Sequence, residues 1–109
     1  MITFHSKARI FLYKGSISMR KSFEGLSEAI EQSFSEKVTS GAYFVFLNRQ
    51  HDHMKVLYWD GDGLAIWYKR LEKGQFNKKT DVNSCISRRE FFMLLEGITP
   101  KKIALRYEL

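Results

Sequence analysis

Two hydrophobic periods alternate along the chain. From Ala8 to Lys14 the apolar residues Ile10, Phe11, Leu12 and Tyr13 are contiguous, which predicts a strand buried on both faces and broken by Gly15 and Ser16. The period then changes. Met19, Phe23, Leu26, Ile30 and Phe34 recur at spacings of three and four, the stripe of a helix packing one side on a sheet. That helix is expected over Met19 to Glu36, with Ser18 as its cap and Arg20 and Lys21 in its first turn. Glu24, Glu28 and Glu31 fall on its other faces, toward water. The cluster Thr39-Ser40-Gly41 closes the region.

Period-two patterning follows. Tyr43 to Leu47 is aromatic and β-branched, as in a central strand, and Asn48 to His53 is a polar turn. From Met54 to Trp59, Met54, Val56 and Tyr58 take one face and Lys55, Leu57 and Trp59 the other. Asp60-Gly61-Asp62-Gly63 is a hairpin signal, because Asp-Gly pairs accept positive φ. Leu64 to Leu71 completes the pair, with Leu64, Ile66 and Tyr68 opposed to Ala65, Trp67 and Lys69. Glu72 to Ser84 is polar and basic, a loop or ragged edge. Ser87-Arg88-Arg89-Glu90 is a capping box opening a second helix with Phe91, Phe92, Leu94 and Leu95 on its apolar face, stopped by Gly97 and Pro100. In the tail from Lys101 to Leu109, Ile103, Leu105 and Tyr107 alternate, as in an edge strand or a loose end. The expected fold class is α+β, an antiparallel sheet of about four strands in a meander, covered by two helices. Without a repeat or a linker, residues 1–109 are expected to form a single domain.

Composition adds compartment and charge. A chain that is 44% hydrophobic and 15% aromatic can build one core. No apolar run nears the roughly 20 residues that span a bilayer, and Met1 to Lys7 lacks the layout of a signal peptide. A cytoplasmic protein with no membrane partner is the expectation. Cys85, the single cysteine, permits neither an intramolecular disulfide nor a thiolate zinc cage, and is expected as a small buried hydrophobe. The formal charge is +6, and it is unevenly spread. Between residues 69 and 89 seven bases (Lys69, Arg70, Lys73, Lys78, Lys79, Arg88, Arg89) face two acids (Glu72, Asp81), a local excess of five. Such an excess suits a polyanion, nucleic acid above all; it also suits a solvated surface that keeps the chain soluble.

Catalytic material is sparse. Asp60 and Asp62 could seed a metal site, but a calcium loop needs further oxygen ligands where Leu64 to Tyr68 are apolar, so a hairpin turn is the better account. His51 and His53 would share a face if extended, yet His5 is the only other histidine, and a solvated turn explains them. No glycine-rich phosphate loop and no nucleophile with its base stands out. Neither an enzyme, nor a cofactor, nor a bound metal is expected. Trp59 and Trp67 are expected in the core, leaving Tyr58 and Tyr68 beside Lys55, Lys69 and Arg70 as candidate surface contacts, since aromatics among bases can stack on single strands at about 1–3 kcal/mol per base.

Several segments, in one order, resemble a known family. They are Gly15 through Leu26, centred on Met19-Arg20-Lys21 and Phe23-Glu24-Gly25-Leu26; Ser40-Gly41 with Phe44-Val45-Phe46; Lys55 through Gly63; Trp67 through Phe76; and Met93 through Ile98. The chain resembles the accessory protein (TnpB) encoded by the second open reading frame of bacterial insertion-sequence-66 transposons. The family commonly has Thr-Asp before Met-Arg-Lys, where this chain has Ile17 and Ser18, and Trp-Pro soon after the Phe76 position, where it has Lys78 and Lys79. The resemblance implies an accessory role in DNA transposition beside a separate transposase, which would be its partner. The sparse catalytic material makes that role non-catalytic, and the basic excess makes DNA at the element ends a further candidate partner.

The candidate binding set is therefore Arg20, Lys21, Lys55, Lys69, Arg70, Lys73, Lys78, Lys79, Arg88 and Arg89, acting as phosphate contacts that position without reading sequence. Arg20, Lys21, Lys55, Lys69 and Arg70 form its narrower core, being within the family-like segments. The rival is a protein-interaction module without DNA binding, its acidic helix face (Glu24, Glu28, Glu31) docked on a basic transposase. Sequence leaves the oligomeric state open.

Overall fold

A strand, a helix and a second strand come first, and their order sets the sheet. In the computed structural model, which describes residues 2–5, 7–78 and 82–96, β1 (Ile10–Ser16) leads into α1 (Phe23–Ser33), and α1 returns the chain to β2 (Tyr43–Leu47). β1 and β2 pair in parallel, Ile10 beside Tyr43 and Leu12 beside Val45, because a crossover helix brings the second strand back in the same direction. β3 (His53–Trp59), β4 (Leu64–Arg70), β5 (Ser84–Ile86) and α2 (Arg88–Glu96) complete the described elements.

Among the described residues the sheet has five strands in the order β4-β3-β2-β1-β5. The α+β class holds, while the expected four-stranded antiparallel meander is corrected in two respects. Only β2, β3 and β4 form a meander, and β1 joins it in parallel. The fifth strand comes from the edge of the polar region, where Ser84, Cys85 and Ile86 pair antiparallel with Leu12, Phe11 and Ile10.

Both faces of the central strands are buried, and each receives one helix. On one face Ile10, Leu12, Tyr43, Val45, Met54 and Val56 pack with Phe76 and with Phe91, Leu94 and Leu95 of α2. On the other, Phe44, Phe46 and Leu57 pack with Leu26, Ala29 and Ile30 of α1. Each such Leu, Ile or Phe contributes about 1.5–3 kcal/mol by leaving water. Contiguous apolar runs in β1 and β2 are the consequence of this two-sided cover.

The helix starts differ from each other. At α2 the capping box forms as expected, with Glu90 N–H on Ser87 Oγ and Ser87 N–H on Glu90 Oε1, both at 3.0 Å. α1 is shorter than expected. It begins at Phe23 after Ser22, which makes no side-chain cap bond, and Ser18 serves a preceding turn: its Oγ accepts from Arg20 N–H and its carbonyl from Lys21 N–H. Arg20 and Lys21 thus stand before the helix. Cys85, expected in the core, is exposed; it lies on β5, which among the described residues is an edge strand. The predicted helix stop at Gly97 and the tail from Lys101 lie outside the described residues, as do Lys79 and Asp81.

Candidate nucleic-acid interface

Three turns meet at the end of the sheet where β1, β2 and β4 finish and β3 begins. The turn 17–22 is tied to β2 by Ile17 N–H on Leu47 O at 2.9 Å. Residues 48–52 fold around Asn48, whose Oδ1 accepts from Asp52 and His53 N–H, both at 3.0 Å, while its amide donates to Asp52 Oδ1 at 2.6 Å. His51 takes positive φ, +58°, to close that turn. Beyond β4, the chain lies against it through Leu71 N–H on Asp52 O, Phe76 N–H on His51 O and Gln75 Nε2 on Gln50 O. Phe76 then plunges into the core, fixing the return path.

These turns carry the charge. Residues 17–22, 48–52 and 69–75 hold six bases (Arg20, Lys21, Arg49, Lys69, Arg70, Lys73) against two acids, Asp52 and Glu72. All six bases are exposed, and Asp52 is engaged by Asn48. A depression of about 350 Å³ lies between Ser18, Met19, Asn48, Arg49 and His53. Tyr68, half exposed, flanks the surface with its hydroxyl on His53 Nδ1.

Lys55 is placed otherwise. Only 8% exposed, it turns its ammonium under the first turn and donates to Met19 O at 2.9 Å and Lys21 O at 2.8 Å, 5.1 Å from the Tyr68 ring centre. Its charge holds the loop that displays Arg20 and Lys21.

The remaining bases scatter. Lys78 reaches the carbonyls of Lys14 and Gly15 on β1, near the β5 side. Arg88 and Arg89 open α2 at the opposite end, where Ile86 pairs with Ile10 and Arg88 donates to His5 O. The stretch from 69 to 89 is one run in sequence and several places in space. Arg49 stands outside the run of bases along the chain; its signal in the sequence is the turn between two paired strands, which must share an end with the neighbouring strand termini.

The profile of the family described as IS66 Orf2 like protein matches residues 8–104, from before β1 to beyond α2. The chain belongs to the IS66 Orf2-like family. Two similar proteins of Sinorhizobium fredii (strain NBRC 101917 / NGR234) carry the names uncharacterized protein y4hO and uncharacterized protein y4jC. The first is 29% identical over 76 residues, 70% of this chain and 66% of its own, so just under two thirds of its length is covered. The second is 28% identical over 92 residues, 83% of this chain and 79% of its own. No solved structure matches. Membership associates this IS66 Orf2-like chain with transposition of that element. Two of its family-like segments, Met19-Arg20-Lys21 and the β3 segment beginning at Lys55, are joined by the Lys55 hydrogen bonds.

The other chemistry weighed in sequence has plain structural settings. Asp60 and Asp62 are exposed in a hairpin turn closed by Asp60 N–H on Gly63 O at 2.7 Å, with Gly61 at φ +77°. Among the described residues no group of three His, Cys, Asp or Glu side chains could hold a metal ion, and no helix is long and apolar enough to cross a membrane. Trp59 and Trp67 are half-buried, and Trp67 packs on the core beside α2. Tyr58 is also half-buried, its ring 4.9 Å from that of Tyr43. Burial, with Asp60 nearby, raises its hydroxyl pKa above the ordinary value.

Proposed function

We propose that this protein is a non-catalytic accessory factor of IS66-type transposition that contacts DNA phosphates through the basic end of its sheet and works beside the element's transposase. The convergence of Arg20, Lys21, Arg49, Lys69, Arg70 and Lys73 on the end of β4 and the turns beside it carries the reading. Spread cations of this kind sit on a backbone and carry no base-reading geometry, so the contact positions the protein and does not select sequence. Arg88 and Arg89, at the other end, lie outside this surface.

The test is a fluorescence-anisotropy titration of duplex DNA at increasing salt. Each neutralised phosphate adds about 0.9 to the logarithmic salt slope, so contact by several of the six bases gives a steep fall. Arg20→Ala with Lys21→Ala should weaken binding and flatten the slope, while Arg88→Ala with Arg89→Ala should change neither much. Absence of binding at low salt overturns the phosphate reading and leaves the exposed acidic face of α1, with Glu24, Glu28 and Glu31, as the surface for a basic transposase.

A further inference from the structure

Among the described residues β4 is an edge strand, with nothing paired to its outer side. Its seven residues pair with β3 without interruption, from His53–Arg70 to Trp59–Leu64, and contain no proline or bulge. The direction of its backbone groups follows from two bonds in the same register. Leu71 N–H bonds Asp52 O, and Asp60 N–H bonds Gly63 O. Alternation along an antiparallel ladder then turns Ala65, Trp67 and Lys69 toward β3, and Leu64, Ile66, Tyr68 and Arg70 outward. Four consecutive outward positions offer both N–H and C=O, the template that strand addition uses.

We propose that this edge pairs with the same edge of a second copy, antiparallel and about a two-fold axis at Trp67, joining two five-stranded sheets into one. That register pairs Leu64 with Arg70 of the second copy and Ile66 with Tyr68 of the second copy, so all four outward positions are used in each chain. Trp67 meets Trp67 of the second copy on the α2 face, an aromatic pair of the kind that stabilises adjoining strands. The exposed Tyr68 is covered by Ile66 of the second copy.

Charge selects this partner and this direction. β4 is basic at its end, with Lys69 and Arg70, and acidic just before its start, with exposed Asp60 and Asp62. Parallel pairing would set like charges side by side. Antiparallel self-pairing lays the basic end of each copy beside the acidic turn of the other. Arg70 then faces Leu64 of the second copy, and the turn that holds Asp62 of the second copy lies just beyond it, beside the basic end of β4. A two-fold axis makes this contact twice.

Sedimentation equilibrium of the full chain tests the pairing. The expected species is a dimer, twice 12.9 kDa. Asp62→Arg and, separately, Arg70→Asp each set like charges together and should raise the dimer dissociation constant at least about tenfold. The double variant reverses both partners and should restore the dimer, which also shows that the single variants failed in pairing and not in folding. A wild-type chain that stays monomeric at all concentrations overturns the proposal, whether the edge is then covered by the chain's own residues 97–109 or by another protein. A dimer that both single variants leave intact, or a double variant that is no better than the singles, overturns it too. The phosphate reading is separable, since Asp62→Arg removes no cation from the basic end.

Discussion

Lys55 donates to the main-chain carbonyl of Lys21 at 2.8 Å. Two lysines, 34 residues apart, are thereby given opposite roles. One ammonium is withdrawn from water to hold a turn, and the other is carried on that turn into solvent. A charged donor suits the first task because hydrogen bonds to charged groups are stronger than neutral ones. It sits on the face of β3 shared with Tyr68, whose ring lies 5.1 Å from the ammonium. The display of Arg20 is thus a consequence of the packing of β3.

Replacing Lys55 with Met keeps the aliphatic stem and removes the donor, leaving the carbonyls of Met19 and Lys21 without this partner. We expect a loss of about 1–3 kcal/mol in urea unfolding and faster amide exchange in residues 18–22. A variant as stable as wild type would show that the contact does not hold the turn.

Alternation along β3 and β4, and the Asp-Gly turn between them, were legible because each face of a paired strand meets a different environment. Lys55 broke that reading. It occupies an inward position on a strand, and sequence alone does not reveal that its ammonium finds two carbonyls there. The parallel pairing of β1 with β2 had a signal in the order strand, helix, strand, but contiguous apolar residues in both strands fit either direction. β5 is only Ser84, Cys85 and Ile86, too short for periodicity to distinguish from its polar surroundings. The apolar spacing of Met19 continues that of Phe23 and so predicts Arg20 and Lys21 in a helix turn; the serine turn at Ser18 ends the pattern locally. The site was half legible for a simpler reason. The sequence orders charge along the chain, whereas the sheet sorts it by strand ends.

The capping box of α2 should be measurable by itself. Ser87→Ala removes the acceptor for Glu90 N–H and should cost about 1 kcal/mol, seen as a lower thermal midpoint. Ser87→Asp, which supplies an acceptor again, should recover most of it. Equal stability of Ser87→Ala and wild type would mean that water replaces the cap at no cost.

Tyr58 predicts an alkaline limit. Burial and Asp60 raise its pKa in the folded chain above the unfolded value of 10.0, so the neutral form is favoured by folding. The stability this contributes is complete below the unfolded pKa and is lost as pH rises through the folded one. Tyr58→Phe cannot ionise, and its unfolding free energy should fall less steeply than that of wild type above that range. Parallel curves for the two proteins would locate the alkaline loss elsewhere.

Arg20 and Lys21 provide the sharpest separation of binding from folding. Had they lain in the first turn of a helix, their charge would have opposed its dipole, and removing them would have been expected to stabilise it. They stand instead in the turn before Ser22, exposed, and the bonds that order this turn come from the Ser18 hydroxyl, the Ser18 carbonyl and Lys55. None of these uses the Arg20 or Lys21 side chain, and Lys55 grips Lys21 by its carbonyl, which alanine retains. Arg20→Ala with Lys21→Ala should therefore change unfolding free energy by less than about 0.5 kcal/mol, as surface substitutions do. The same variant should bind duplex DNA more weakly and lower transposition in a cell-based mobility assay. Comparison with Lys55→Met assigns the cause, since that variant keeps both surface cations but loosens their support, and should lose stability and binding together. If the double alanine variant melts several degrees lower, these side chains hold the turn. If transposition falls while DNA affinity is unchanged, the cations of this turn serve the transposase.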